Sequence, residues 1–371
     1  MKICVYAICK NEIKFVKTWL DSMQEADYIV VLDTGSTDGT YEALQADPRI
    51  TRVEQKIITP WRFDTARNES MKLIPDDADL LFCTDLDEVL IPGWANALRE
   101  KWIPGFHCRG YYKYAWSHNS HGEPENVFWY DKIHDRKYHW EYPVHEALRG
   151  VDEEYEREHS ITFDERVFLH HYPDQTKSRG SYLGLLETRV KENKNDFYGA
   201  FYLGREYSFY GEYIKSNEVF EYILKGKYKE MKDDLVIAGC YTFIADNYRK
   251  LGEDVKAINY YLKSIQQDKS YREPYLYIAE ILNEYQMYAA AVGVIKECFR
   301  QCYRHYNWLE RGDTWREKPY DILGIAYYYL GQWNKSKENM QKALEYNPTD
   351  ERLIYNLSFF DKDKGEKDIN G

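Results

Sequence analysis

The signatures of a disulfide framework and of a thiolate metal site are missing from this chain. Its seven cysteines, at positions 4, 9, 83, 108, 240, 298 and 302, are odd in number and include no C-x-x-C pair. Cys298 and Cys302 fall four apart on an expected helix and read as buried thiols. No G-x-G-x-x-G follows the first apolar run and no G-x-x-x-x-G-K-S/T occurs anywhere, so the dinucleotide and P-loop readings lose their main support. No stretch of about 18 apolar residues is present, which excludes an expected membrane-spanning helix. The run from Met1 to Cys9 is too short for a signal peptide, so a cytoplasmic location is the expectation. Excess positive charge is lacking too. Fifty Lys and Arg against 62 Asp and Glu leave a formal charge of −12, which argues against coating nucleic acid by bulk electrostatics.

What is present suits packed domains. A chain of 371 residues that is 44% hydrophobic and 16% aromatic has room for two or three cores. Its 36 tyrosines supply amphipathic bulk for helix interfaces or ligand stacking.

The first half alternates strands and helices. The continuous apolar run from Lys2 to Cys9 predicts a strand buried on both faces, and a helical segment carrying Phe15, Trp19, Leu20 and Met23 follows it. The run from Asp27 to Asp33 predicts a second strand, with Ser36 or Thr37 placed to cap the next helix. Ile50 to Ile58 reads as a third strand and Asp64 to Leu73 as a third helix. The segment Leu80-Leu81-Phe82-Cys83-Thr84 is a fourth strand, running into Asp85-Leu86-Asp87-Glu88. If the strand continues through these acids, Asp85 and Asp87 share a face while Leu86 turns to the core. Such alternation implies a parallel sheet, whose ligands bind beyond the carboxyl ends of the strands. That edge gathers Cys9 to Glu12, Asp33, Arg67-Asn68 and Asp85 to Glu88. Oxygen ligands there suit Mg²⁺ or Mn²⁺. Further short strands are expected over 110–116, 126–133 and 165–169. Nine of the ten histidines lie between His107 and His171, and His107, His118, His121 and His159 read as scattered surface residues.

Four motifs follow one another here: V-x-x-x-x-K-N-E, V-L-D-T-G-S-T-D-G-T, F-D-x-A-R-N and D-L-D-E. In this order and spacing the chain resembles the family 2 glycosyltransferases of the GT-A fold, in the branch whose catalytic domain is followed by tetratricopeptide helices. The pair His145-Glu146 and the cluster His170-His171-Tyr172, followed by Lys177 and Arg179, extend the resemblance.

The resemblance implies a metal-dependent, inverting transfer from a UDP-sugar. It assigns Asp87 as a direct carboxylate ligand to Mn²⁺ or Mg²⁺, Asp85 to ribose or a metal-bound water, and His171 as a nitrogen ligand. His170 and His171 point to opposite faces of a strand, so only one of them serves. Glu146 is implied as the general base, with His145 and Glu88 as alternatives. Asp33 resembles the uracil-reading acid, Arg67 a group for the uracil carbonyl or ribose, and the backbone of Ala7 and Cys9 the rest of a uridine pocket that includes Glu12. Lys177 and Arg179 would close over the pyrophosphate.

From Ser181 onward strand signals give way to aromatic helices. Placing Gly211, Gly252, Gln286 and Gly331 in register gives separations of 41, 34 and 45, one repeat of about 34 residues with insertions. Seven residues upstream stand Gly204, Ala245, Ala279 and Gly324. Five residues downstream stand Ser216, Ala257, Ala291 and Ser336. Small residues at fixed positions let paired helices approach, as in tetratricopeptide stacking. The insertions, 226–232 and 302–313, are expected in loops. Asn347-Pro348 ends the last repeat, and 352–360 forms a capping helix ahead of a charged tail.

The expectation is therefore an α/β, GT-A, mostly parallel Rossmann-like sheet over 1–180, tetratricopeptide-like repeats over 181–360 and a charged tail over 361–371. The acceptor is a macromolecule, either a peptide, a protein or a surface glycan, and the repeats offer a surface for a homodimer. A second reading is a phage-type enzyme that glycosylates hydroxymethylcytosine in DNA, using a basic track of Lys132, Arg136, Lys137, Lys177, Arg179, Arg189, Lys191 and Lys194. A third is a non-catalytic tetratricopeptide scaffold. A nucleotidyltransferase would carry a glycine-rich phosphate loop where this chain has Lys10-Asn11-Glu12.

Overall fold

The computed structural model describes residues 1–177, 180–227 and 233–367, in two compact units. One comprises residues 1–117 and 127–194 and is built on a sheet. The other comprises 118–126 and 195–371 and is helical. The helix at 182–192 thus belongs with the sheet unit, beyond the expected division at 180. Among the described residues no helix is long and apolar enough to cross a membrane.

The strands of the sheet are β1 (Ile3–Cys9), β2 (Tyr28–Asp33), β3 (Arg52–Gln55), β4 (Leu80–Thr84), β5 (Glu88–Leu90), β6 (Arg109–His118) and β7 (Pro124–His134), then β10 (Ser160–Thr162) and β11 (Phe168–His171). Between β7 and β10, β8 (His139–Glu141) and β9 (Ala147–Arg149) form a separate antiparallel pair. The helices of this unit are α1 (Ile13–Met23), α2 (Thr40–Ala46), α3 (Phe63–Met71), α4 (Trp94–Lys101), α5 (Glu153–His159) and α6 (Tyr182–Glu192).

The large sheet runs β3-β2-β1-β4-β7-β6-β11-β5, with β10 beside β6. Its first four strands are parallel, as the βα alternation predicts. The whole is mixed, because β7 is antiparallel to β4 and β5 is antiparallel to β11, while β10 and β11 run parallel to β6. The run of parallel crossovers ends at β4, and beyond it β6 leads directly into β7, which enters the sheet antiparallel to β4.

β1 is buried throughout and divides its side chains between two cores. Val5 and Ala7 pack with Trp19, Leu20, Trp94 and Leu98, while Cys4 and Tyr6 pack with Ala66, Leu73 and Trp140. This is why the strand reads as an unbroken apolar run. Ser36 and Thr37 do not cap α2, whose preceding residue is Gly39 at φ 94°. Ser36 instead accepts from the Asn11 N–H at 2.8 Å, and the Thr37 N–H donates to Asn11 Oδ1 at 2.8 Å, so the loops after β1 and β2 are tied together.

The helical unit holds four helix pairs: α7 (Phe197–Phe209) with α8 (Tyr213–Tyr222), α9 (Asp234–Lys250) with α10 (Asp254–Gln267), α11 (Glu273–Glu284) with α12 (Tyr288–Gln301), and α13 (Lys318–Tyr329) with α14 (Trp333–Tyr346). The turn of each pair contains one residue in the left-handed region: Gly211 at φ 79°, Gly252 at 76°, Gln286 at 61° and Gly331 at 70°. The repeat register is thus a backbone register, and Gln286 occupies without glycine the position glycine takes elsewhere. The aligned small residues are buried at the helix crossings. A Cβ on Gly204 would stand 2.9 Å from the Phe220 ring, and one on Gly324 would stand 2.6 Å from Met340 Cγ.

Residues 302–311 form a loop leading into a short 3₁₀ turn, Gly312–Trp315, and Ile223–Lys227 is a widened turn broken at Gly226. The rest of the expected insertion, 228–232, lies outside the described residues. α15 (Glu351–Lys367) extends beyond the expected cap into the charged tail, and 368–371 also lie outside the description.

Gly204→Ala is expected to cost the helical unit about 1–3 kcal/mol through overpacking against Phe220. Gly293→Ala on α12, where a Cβ meets nothing within 4 Å, should be neutral or stabilising by up to about 1 kcal/mol. Urea unfolding of the two variants checks the difference, and equal midpoints would contradict this account of the packing.

Candidate active site

The carboxyl ends of β1, β2 and β4 bring charged residues together, and α3 supplies the group that organises them. Arg67 is buried on α3, with its guanidinium 5.2 Å from the Trp140 ring. Its Nη2 donates to Asp85 Oδ1 at 2.9 Å, its Nε to Glu146 Oε1 at 2.5 Å, and its Nη1 to Cys83 Sγ at 3.0 Å. The next residue of the A-R-N triplet, Asn68, exchanges two hydrogen bonds with the Trp140 backbone, at 2.7 and 2.8 Å. That pairing fixes β8 on α3, and the Phe63 N–H bonds the Pro143 carbonyl at 3.0 Å. The loop between β8 and β9 therefore presents Glu146 to Arg67, with Tyr142 at φ 84° and His145 at φ 48°. The His145 carbonyl accepts from Arg189 at 2.7 Å, and its ring meets Tyr182 edge-on.

β4 ends at Thr84, so Asp85 and Asp87 stand in a turn rather than on a strand, and Glu88 opens β5. Strand alternation does not apply to them, and they take different partners. Asp85 lies between Arg67 and Lys132, with Lys132 Nζ at 2.9 Å from Oδ2. Burial raises the Asp85 pKa, but Arg67 and Lys132 overcome it and hold the carboxyl well below the usual range. Leu86 is buried in the core. Glu88 closes the turn: its Oε2 accepts from the Asp85 N–H at 2.9 Å and its Oε1 from the Tyr114 hydroxyl at 3.0 Å. Burial raises its pKa, against the pull of Lys132.

Asp87 faces His171, with Oδ2 and Nε2 3.4 Å apart. The His171 Nδ1–H donates to the Trp116 carbonyl at 3.1 Å, which directs Nε2 toward the carboxylate. His170 points the other way along β11, against Phe168 and Tyr172. Burial lowers the His171 pKa, but Asp87 and Glu88 outweigh it and the net direction is up.

Glu12, at the end of the first loop, is paired with Lys177, and its Oε2 is buried without a hydrogen-bond partner. Burial pushes its pKa up to about 7, with Asp87 and Asp85 adding to the rise. Asp33 is buried and well satisfied: Oδ1 accepts from the Gly35 and Ser36 N–H groups and from Gln55, and Oδ2 faces the Cys9 thiol at 3.4 Å. The Cys9 carbonyl is taken by the Thr34 N–H and hydroxyl, at 2.8 and 2.9 Å. Ala7 lies inside β1, paired to Val31 and Thr84. Arg179 lies outside the described residues.

Asp85 is engaged by two cations, and among the described residues no group of three or more His, Cys, Asp or Glu side chains is arranged around a metal position. Asp87 and His171 remain, an oxygen and a nitrogen facing one point. That pair fits a cation which takes its other ligands from water and phosphate. Two residues of the expected basic track, Lys132 and Arg189, are buried, with Arg189 bonded to the Val144 and His145 carbonyls. Lys132 is the site residue that sequence reasoning placed elsewhere.

The family model of the tetratricopeptide repeat matches residues 318–350, which are α13, α14 and the turn between them. No curated protein is similar to the chain at a significant level. Among solved structures, the chain is similar to the C-terminal part of a TPR repeat-containing protein from Cytophaga hutchinsonii, at 16% identity and TM-score 0.40, over 52% of this chain and 69% of that one. It is also similar to YrrB, described as a TPR protein with an unusual peptide-binding site, at 15% identity and TM-score 0.35, over 47% and 81%. MamA from Desulfovibrio magneticus matches at 14% and TM-score 0.35, over 51% and 88%. The C-terminal half is a tetratricopeptide-like repeat array.

Lys132→Met would leave Glu88 without a buried cation and Asp85 with Arg67 alone, and is expected to destabilise the sheet unit by about 3–5 kcal/mol. Lys137→Met, at a half-exposed lysine, should cost less than about 1 kcal/mol. Chemical unfolding followed by tryptophan fluorescence compares them.

Proposed function

We propose that the sheet unit transfers a sugar from a UDP-sugar, with Mn²⁺ or Mg²⁺, to a nucleophile on a macromolecular acceptor, a peptide, protein or glycan. The observation that carries this reading is the pairing of Asp87 with His171 Nε2 at 3.4 Å, next to the Asp85–Arg67–Glu146 bridge. The site's carboxylates, Glu12, Asp85, Asp87, Glu88 and Glu146, outnumber its cations, Arg67, Lys132 and Lys177, so the surplus charge suits a divalent ion. Asp87 and His171 would hold that ion. When bound it supplies positive charge to the departing diphosphate.

The chain's own groups do the rest. Lys177, close to Glu12 and the Lys10 carbonyl, lies within reach of a diphosphate. Arg67 holds Glu146 by Oε1, so Oε2 is the atom to take the acceptor's proton. The acceptor oxygen or sulfur then bonds to the anomeric carbon as the bond to the diphosphate oxygen breaks, with inversion. Asp33 and the loop after β2 would receive the base and ribose.

The repeat match favours a second reading, in which the chain is a binding scaffold whose sheet unit turns over no donor. Calorimetry with UDP and UDP-sugars, in Mn²⁺ and in EDTA, separates the two. Metal-dependent binding is expected, and its absence with every donor leaves the scaffold. Asp87→Ala should reduce transfer by roughly 10²–10³-fold, while Glu146→Gln keeps UDP binding and loses transfer. Protons and metal compete for His171 Nε2, whose pKa is raised above the ordinary imidazole range by Asp87 and Glu88, so metal-dependent affinity should fall as pH is lowered and His171 protonates. His171→Ala should flatten that profile.

A further inference from the structure

The helical unit contains a cavity of about 560 Å³, within the usual range for a ligand pocket. Its walls come from the first helices of three successive repeats, α7, α9 and α11, from the 302–313 insertion, and from residues 125 and 126 of the same unit. Aromatic rings line it, including Phe209, Phe243, Tyr277 and Trp308. Its charged residues are Arg205, Arg311, Asp246, Glu273, Asp313 and Glu125.

The cations among them are already engaged. The Arg205 guanidinium packs 4.8 Å from the Tyr202 ring and 5.8 Å from those of Phe209 and Trp308. Arg311 forks onto Asp313 with two hydrogen bonds of 3.1 Å. The acids are different. Glu273 is 1% exposed; its Oε1 accepts from the Arg311 N–H at 2.6 Å and from the Thr314 hydroxyl at 3.3 Å, and its Oε2 has no hydrogen-bond partner. Asp246 accepts from the Tyr261 hydroxyl at 2.5 Å. Neither forms an ion pair with any described residue. A buried carboxylate oxygen without a donor is costly to maintain.

We propose that this cavity binds an organic cation, the ammonium or guanidinium group of a peptide side chain or of a free polyamine, held between Glu273 and Asp246 with the aromatic rings around it. Charge complementarity selects the sign of the ligand, and the rings favour an alkylammonium or guanidinium over a bare metal ion. The inference rests on the helical unit alone and stands whether or not the sheet unit is catalytic.

Titration supports the same assignment. Burial pushes Glu273 up to about 8 and Asp246 up to about 6. The charged and titratable groups facing Glu273 are Glu310, Asp313 and the backbone and guanidinium of Arg311 from the insertion, with Tyr271 and Tyr277, and those facing Asp246 are Tyr261, Tyr277 and the cations Arg249, Arg311 and Lys318. Binding a cation would displace the Glu273 proton, so affinity should rise between pH 6 and 9.

The test is calorimetry on the full chain with a blocked Ala-Lys-Ala peptide, its Nε-acetylated form and spermidine. The Lys peptide, spermidine or both should bind, with proton release seen as a dependence on buffer ionisation enthalpy. Acetylation should weaken the peptide at least tenfold. Binding by the peptide alone assigns a peptide source, and binding by spermidine alone assigns a free amine. Glu273→Gln resembles the protonated acid and should keep the unfolding midpoint while losing at least tenfold in affinity, and Asp246→Asn should do the same. The proposal is overturned by no binding of either cation, by equal binding of the acetylated peptide, or by unchanged affinity in both variants.

Discussion

The buried guanidinium of Arg67 is the constraint on which the sheet unit's site depends. Its donors reach Asp85 at the end of β4, Glu146 in the loop between β8 and β9, and the Cys83 thiol. A planar fork with five N–H groups can satisfy several acceptors at once, which a lysine ammonium in the same place would not do with the same geometry. Two carboxylates at the edge of an apolar core repel each other and resist burial unless a cation lies between them. Arg67 and Lys132 supply that compensation, leaving Asp87 free of both and turned to His171. The division of labour in the D-L-D-E turn follows: Asp85 is held by cations, Glu88 by the backbone and Tyr114, and Asp87 faces outward from that network.

A second layer of groups keeps the arginine where it is. Trp140 lies against its guanidinium and donates its indole N–H to the Tyr6 hydroxyl at 2.9 Å, and Tyr6 in turn meets His134 Nε2 at 2.6 Å. Burial holds His134 neutral, with a pKa lowered to about 3, so its Nε2 remains an acceptor for the tyrosine. A chain of satisfied polar groups through an apolar core rigidifies it, because any displacement strands a buried donor or acceptor.

The helical unit solves a different problem. Its helices approach closely because Gly204, Ala245, Ala279 and Gly324 leave room for the partner helix, and each pair reverses through one left-handed residue. Where the insertion after α12 folds over the first helices of three repeats, the regular stacking gives way to a polar cavity. Asp313 there is held by Arg311, whereas Glu273 and Asp246 are met by hydrogen bonds and by no ion pair among the described residues, unlike Asp85.

Short-range patterns carried much of this architecture. Continuous apolar runs mark β1, β2 and β4 because a strand covered on both faces has no solvent side, and the spacing of small residues marks the repeats because helix crossings tolerate nothing larger. The grouping of Asp33, Asp85 and Asp87 followed from motif order, since three of the four motifs end strands at the same sheet edge and the fourth, F-D-x-A-R-N, opens α3. Tertiary structure alone decided the partners. That Lys132 is an interior counter-ion and not a surface charge, that Asp85 is bound by cations, and that Ser36 serves Asn11 instead of capping α2 depend on contacts between residues 18 to 47 positions apart. A linear pattern records which side chains face inward. It does not record which of the inward charges meet, because that is set by how separate elements cross in space.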